Sequence, residues 1–118
     1  MNAMSGRWNI LDPDAWADRE SEWLDAVTGT TVLIRLNYLD GAGELAEVEM
    51  MAGQVIEADL DDGITLRLQG YRDGELHYLP PVPAAFNPIR PDTYPLSGGF
   101  WVRNPDLIAA FDITMPVN

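Results

Sequence analysis

The chain contains no cysteine and no lysine, and its 118 residues hold a single histidine, His77. Covalent and proton-transfer chemistry draws mainly on Cys, Lys, His and activated Ser, so most of the usual nucleophiles, bases and soft metal ligands are missing. Without cysteine there are no disulfides and no thiolate metal sites, which fits a reducing compartment. No apolar run approaches the roughly 20 residues that a membrane-spanning helix needs, and no signal-peptide pattern opens the chain. Cationic side chains are also scarce: seven arginines stand against 19 acidic residues, for a net charge of −12. That balance weighs against nucleic acid and anionic lipid surfaces, which demand basic patches, and favours a basic protein partner. The competing reading is that acidity only keeps a small domain soluble. What is present, 47% hydrophobic residues in 118, suffices for one core and one domain. The expectation is a soluble cytoplasmic protein.

Residues 1–11 carry no periodic signal and read as a flexible arm. A helix is expected over 12–28. Asp12 caps it, Pro13 takes the first helical position, and Asp14 and Asp18 sit where the helix dipole favours anions. Trp16, Trp23, Leu24 and Val27 make one apolar stripe, and Gly29 closes the helix.

From Thr31 the period changes to two, with Val32, Ile34, Leu36 and Tyr38 on one face. Asp40-Gly41-Ala42-Gly43 turns the chain. Val48, Met50, Ala52, Ile56, Ala58 and Leu60 keep the even parity, while Glu47, Glu49, Glu57 and Asp59 take the odd one. One long strand bent at Gly53 is the inference, with an acidic stripe on its outer face. Directly opposed residues of an antiparallel pair share a face, so apolar must meet apolar. A three-residue loop Asp61-Asp62-Gly63 achieves this, setting Leu60 against Ile64, Ala58 against Leu66 and Ile56 against Leu68, with Glu57 opposite Arg67. A further hairpin through Gly70–Gly74 matches Leu68 with Leu76 and Leu66 with Tyr78, leaving His77 outward.

Six prolines between 80 and 96 exclude regular helix and interior strand, so this segment reads as a long ordered loop. Phe100–Arg103 and Leu107–Met115 give two last short strands, separated by an Asn104-Pro105-Asp106 turn. The fold expected over 12–118 is mainly β: an N-terminal helix, then a small, strongly bent antiparallel SH3-like or Sm-like barrel over 31–116. The alternative is a curved open sheet packed on the helix, an α+β arrangement.

The stretches WADRESEWLDAVTGTTVLIRLNYLDGAGEL, DDGITLRL, LPP, PDTYPL and NPDLIAAFDIT resemble a family of small uncharacterised bacterial proteins, a domain of unknown function. The resemblance covers residues 12–115. It implies one compact domain and carries over no activity and no site.

No chemical constellation stands out. His77 with Ser5, Ser21 or Ser97 lacks a nucleophile-elbow context. A lone strand histidine beside Glu57 or Asp59 is ordinarily a surface residue rather than a metal ligand. Asp59-Leu60-Asp61-Asp62-Gly63 resembles the start of a calcium loop, but its glycine falls one position early and Gly70 stands where a bidentate Glu is needed. There is no phosphate loop, zinc pattern or nucleotide fingerprint. The reading is therefore non-enzymatic, with no cofactor and no metal. The protein is expected to be a binding module, of acidic inhibitor or immunity type, whose Glu47, Glu49, Glu57 and Asp59 face a basic protein. Alternatively it is a structural domain that self-associates through Phe86, Tyr94, Phe100 and Trp101.

Overall fold

The computed structural model describes residues 20–115. Helix α1 (Glu20–Val27) precedes eight strands: β1 (Thr31–Leu39), β2 (Leu45–Asp59), β3 (Gly63–Leu68), β4 (Leu76–Leu79), β5 (Phe86–Pro88), β6 (Thr93–Leu96), β7 (Phe100–Arg103) and β8 (Leu107–Thr114). The fold is mainly β. The expected arm at 1–11 and the first half of the expected helix, 12–19, lie outside the described residues. Among the described residues no helix is long and apolar enough to cross a membrane.

Six strands form one sheet in the order β4-β3-β2-β1-β8-β5, and β6 and β7 form a separate two-stranded ribbon. Among the described residues the sheet is open, with β4 and β5 at its edges, and they do not form the expected closed barrel. It is also mixed: β8 runs parallel to β1, from Val32 beside Leu107 to Leu39 beside Thr114. The reason lies at the start of the two strands. Thr31 donates its N–H to Asp106 Oδ2 at 2.9 Å, and Asp106 donates its own N–H to the Thr31 carbonyl at 2.8 Å. That clamp brings the chain back to the beginning of β1 rather than to its end, so the two strands run the same way. Hairpin reasoning tests only consecutive antiparallel strands and does not see this pairing.

Both faces of the central strands are covered. On one face α1 sets Trp23, Leu24 and Val27 over Val32, Ile34, Leu36, Met51, Val55, Leu66, Leu107 and Ala109. On the other the β6–β7 ribbon sets Leu96, Val102 and Tyr94 over Leu33, Ala52, Met50 and Ile108. This double cover explains why parity misled along β2. Ile34 lies opposite Met51 and Val32 opposite Gly53, so the odd residues of β2 join the even residues of β1. Met50, Met51 and Ala52 are all apolar, and alternation carries no face information where both faces are buried.

The parity of β2 then changes at a bulge. Val55 pairs with Leu66 but Glu57 pairs with Thr65, which leaves Ile56 as the extra residue. The irregularity is at Ile56, not at Gly53. Gly53 serves close approach instead: a Cβ there would lie 3.0 Å from the Arg67 carbonyl and 3.2 Å from Leu66 Cβ. The hairpin to β3 pairs Asp59 with Gly63 and Ala58 with Ile64, so its three-residue loop is Leu60-Asp61-Asp62 rather than Asp61-Asp62-Gly63. Asp59 Oδ1 fixes that loop by accepting the Asp61 N–H at 2.6 Å. Consequently Arg67 faces Gln54 and not Glu57. One strand further, Leu66 pairs with His77 and Thr65 with Tyr78. His77 therefore turns toward the helix-covered face and is half-buried, while Leu76 and Tyr78 are exposed.

The proline-rich segment is more regular than expected. It contains a short 3₁₀ turn at Pro83–Ala85 and two strands, β5 and β6, with Pro88 and Pro95 inside them. Both prolines are compatible with strand because β5 is a sheet edge and β6 belongs to a two-stranded ribbon. Phe86 at the head of β5 is fully buried, 5.2 Å from Trp23 and 6.5 Å from Phe111 in edge-to-face contacts.

Candidate functional site

The clustering of ionisable side chains is centred on Glu49. The first half of β2 extends past the end of β3, and its outer edge is covered by turns. Gln69 donates to the Ala52 carbonyl at 2.9 Å, and Ser97 Oγ accepts the Met50 N–H at 2.9 Å. Between β3 and β4 a 3₁₀ turn at Gly70–Arg72 lies against this edge, beside a second turn at Ser97–Gly99. The Tyr71 ring packs directly on Gly98, where a Cβ would come within 2.9 Å of Tyr71 Cγ.

Three donors converge on Glu49. Tyr38, from β1, donates its hydroxyl to Oε1 at 3.0 Å, and Tyr71 donates to Oε2. Arg72 Nη1 stands 3.3 Å from Oε2, while its Nε reaches Glu75 Oε1 at 3.3 Å. The Tyr71 hydrogen bond, with the Tyr38 bond and the Arg72 charge, holds the Glu49 carboxyl below its ordinary pKa against the opposing effect of partial burial. The Tyr71 phenol is raised chiefly by its bond to Glu49, and the Tyr38 phenol by burial and then by Glu49. Burial, and then the Arg72 charge, lowers His77, with Glu49 opposing. Every shift thus moves its group further from titration near neutral pH. An acid–base pair needs the reverse, pKa values drawn toward the working pH. The geometry holds the Glu49 carboxylate between two phenol donors and one guanidinium.

A cleft of about 270 Å³ opens beside the cluster, lined by Tyr38, Glu47, Val48, Glu49, Tyr71 and Ser97. Glu47 stands opposite Tyr38 in the β1–β2 register and is exposed.

The acidic residues expected to share one face are divided. Glu47 and Glu49 lie together at the cleft on the helix-side face, whereas Glu57, level with Thr65 and Tyr78, lies beyond the bulge on the opposite face. Asp59 shares that second face by alternation and is occupied in capping the Asp61 and Asp62 amides. The expected aromatic surface also divides. Phe86 is buried in the core, so it presents nothing to a partner. Tyr94 is half-buried against the second core, with its hydroxyl donating to the Arg90 carbonyl at 2.6 Å. Trp101 is 65% exposed and Phe100 44%. Trp101 lies opposite Pro95, whose partners' neighbours Tyr94 and Val102 point inward to the core.

Tyr38, Tyr71, Arg72 and Ser97 were not legible as site residues. The register of β1 on β2 would have brought Tyr38 to Glu49, and that register can be tried from the Asp40–Gly43 turn. Nothing in the spacing places Tyr71 or Ser97 there. Among the described residues no group of three or more His, Asp or Glu is positioned to hold a metal ion. No family model, curated protein or solved structure matches the chain.

Proposed function

We propose that the protein is a non-enzymatic binding module that engages a basic protein through the acidic end of its β1–β2 hairpin. The supporting observation is incomplete charge pairing. Arg72 forms ion pairs with Glu49 and Glu75. Arg35 spends its Nε on Asn37 Oδ1 at 2.7 Å, and Arg67 stands level with Gln54 and Leu76. Among the described residues no cation pairs with exposed Glu44 or Glu47 on this hairpin, and a field of this sign steers cationic partners and speeds their association. An inhibitor or immunity-type role in the cytoplasm fits such a module.

The test is capture at low salt by immobilised protein, followed by elution with salt. A stoichiometric basic protein retained by the natural chain and lost on combined Glu44→Lys and Glu47→Lys substitution is the expected result. Retention indifferent to that charge reversal counts against the reading. A second reading, self-association through the outer face of the β6–β7 ribbon, is favoured by the exposure of Trp101 beside Pro95. Sedimentation that is independent of concentration, and unchanged in Trp101→Ala, would dismiss it.

A further inference from the structure

We propose that the cleft beside Glu49 is a guanidinium pocket that receives one arginine side chain of the basic partner. The proposal rests on the protein-binding reading above and assigns its anchor. Two tyrosines, two glutamates, a serine and a strand backbone meet at a cleft of about 270 Å³. That is smaller than the roughly 300–1,000 Å³ of pockets for drug-sized ligands, and suits a single side chain.

The chemistry of the walls selects a planar, multiply donating cation. The Glu49 carboxylate is fixed by Tyr38, Tyr71 and Arg72, so it does not have to be ordered afresh when a ligand arrives, and exposed Glu47 beside it has no hydrogen-bond or ion-pair partner among the described residues and stays available to a cation. Val48 lies on the side of β2 where the Met50 N–H reaches Ser97 Oγ, so alternation directs its carbonyl to the same side. A guanidinium carries five N–H donors in a flat fork, which can address a carboxylate, a carbonyl and a hydroxyl together; an ammonium cannot match that spread. The Tyr38 and Tyr71 rings in the wall add the attraction of aromatic groups for a cation. Arg72 does not fill this place, since it reaches Glu49 from the side of Met51, with its Nη1 3.3 Å from Met51 Sδ. Glu47, Glu49 and Glu75 outnumber that one arginine, and the local balance stays negative.

The test needs no partner. Titration of the folded chain with N-acetylarginine amide, followed by amide NMR, is expected to give saturable shifts confined to Glu47–Glu49, Tyr71 and Ser97. The neutral isostere N-acetylcitrulline amide is expected to give none. Glu47→Gln, at an exposed site without a hydrogen-bond or ion-pair partner among the described residues, is expected to weaken binding about three- to tenfold. Asp61→Asn with Asp62→Asn, at the other end of β2, is expected to leave it unchanged. Absence of saturation, equal shifts with the citrulline compound, or equal weakening by the distant pair would each overturn the pocket. The two readings also fail separately. Capture of a basic protein by a chain whose cleft ignores the arginine compound removes only the anchor. A cleft that binds the compound in a chain that captures no basic protein leaves the pocket and removes the wider function.

Discussion

Replacing Gly98 by alanine tests how tightly the turn at 97–99 is built against the cluster. Gly98 and Gly99 both have left-handed backbone, with φ of 82° and 84°. An L side chain in that region costs about 1–2 kcal/mol. The two positions differ in what a side chain would meet. A Cβ on Gly99 has nothing within 4 Å, whereas one on Gly98 lies 2.9 Å from Tyr71 Cγ and 3.0 Å from its Cβ and Cδ1. Carbon atoms rest at about 3.5–4.0 Å, so the ring has to retreat by roughly 0.6 Å or more. It cannot do so freely, because its hydroxyl is bound to Glu49. Overpacking of this kind adds about 1–3 kcal/mol. Gly99→Ala is therefore expected to lose about 1–2 kcal/mol and Gly98→Ala about 2–5 kcal/mol. Urea unfolding reads both as a lower midpoint at unchanged slope. A second readout is the Glu49 carboxyl followed by carbon NMR: Gly98→Ala moves its pKa up toward the ordinary value, and Gly99→Ala does not. Equal midpoint losses, together with the same Glu49 titration in both variants, would refute the reasoning.

Phe86→Ala is expected to cost about 3–5 kcal/mol in urea unfolding, the ordinary price of an emptied aromatic core site, and Trp101→Ala about 0.5 kcal/mol or less; similar losses would mean that Phe86 is not packed against Trp23. Tyr71→Phe removes the largest cause of the depressed Glu49 pKa. A carboxyl depressed in the folded state adds stability above its unfolded pKa that is lost as pH falls through its folded one, so the variant should show a shallower acid loss of stability than the natural chain. His77 is the one imidazole in the sequence, so its proton NMR signal needs no assignment. It should titrate below the ordinary value of about 6.5, and because burial disfavours its charged form, stability should rise with pH between the folded and the unfolded pKa; a titration at or above the ordinary value would contradict the half-buried placement.

What could be read in advance depended on whether one face of an element meets water. Helix α1 and strand β1 do have one polar side over part of their length, and their apolar positions, Trp23, Leu24, Val27, Val32, Ile34 and Leu36, are core residues as expected. The length of β2 was also legible, since no proline and no turn pair interrupts Leu45–Asp59. Its faces were not, because Met50, Met51 and Ala52 are covered from both sides and the bulge at Ile56 resets the alternation. The hairpin register to β3 failed at the same bulge: with Ile56 as the extra residue, Ala58 meets Ile64 and Val55 meets Leu66, apolar pairs that strict alternation through Ile56 does not reach. The parallel seating of β8 depends on Asp106 meeting Thr31 across 75 residues, a contact without local trace. At the site, Glu47 and Glu49 could be singled out by charge alone, while the tyrosines that make a cleft of them come from a neighbouring strand and a turn.

The parallel seating of β8 also bears on how the protein is made. β1 lies at the heart of the sheet, yet one of its two neighbours, Leu107–Thr114, is synthesised after every other described strand. Until then the nascent chain presents Val32, Ile34 and Leu36 along an unpaired strand edge, a template for association with other chains. Phe86 is in a similar position, because the strand that β5 pairs with is β8. Folding of the sheet is thus expected to be late and largely all-or-none, and truncation before Leu107 should yield an aggregating chain rather than a smaller domain.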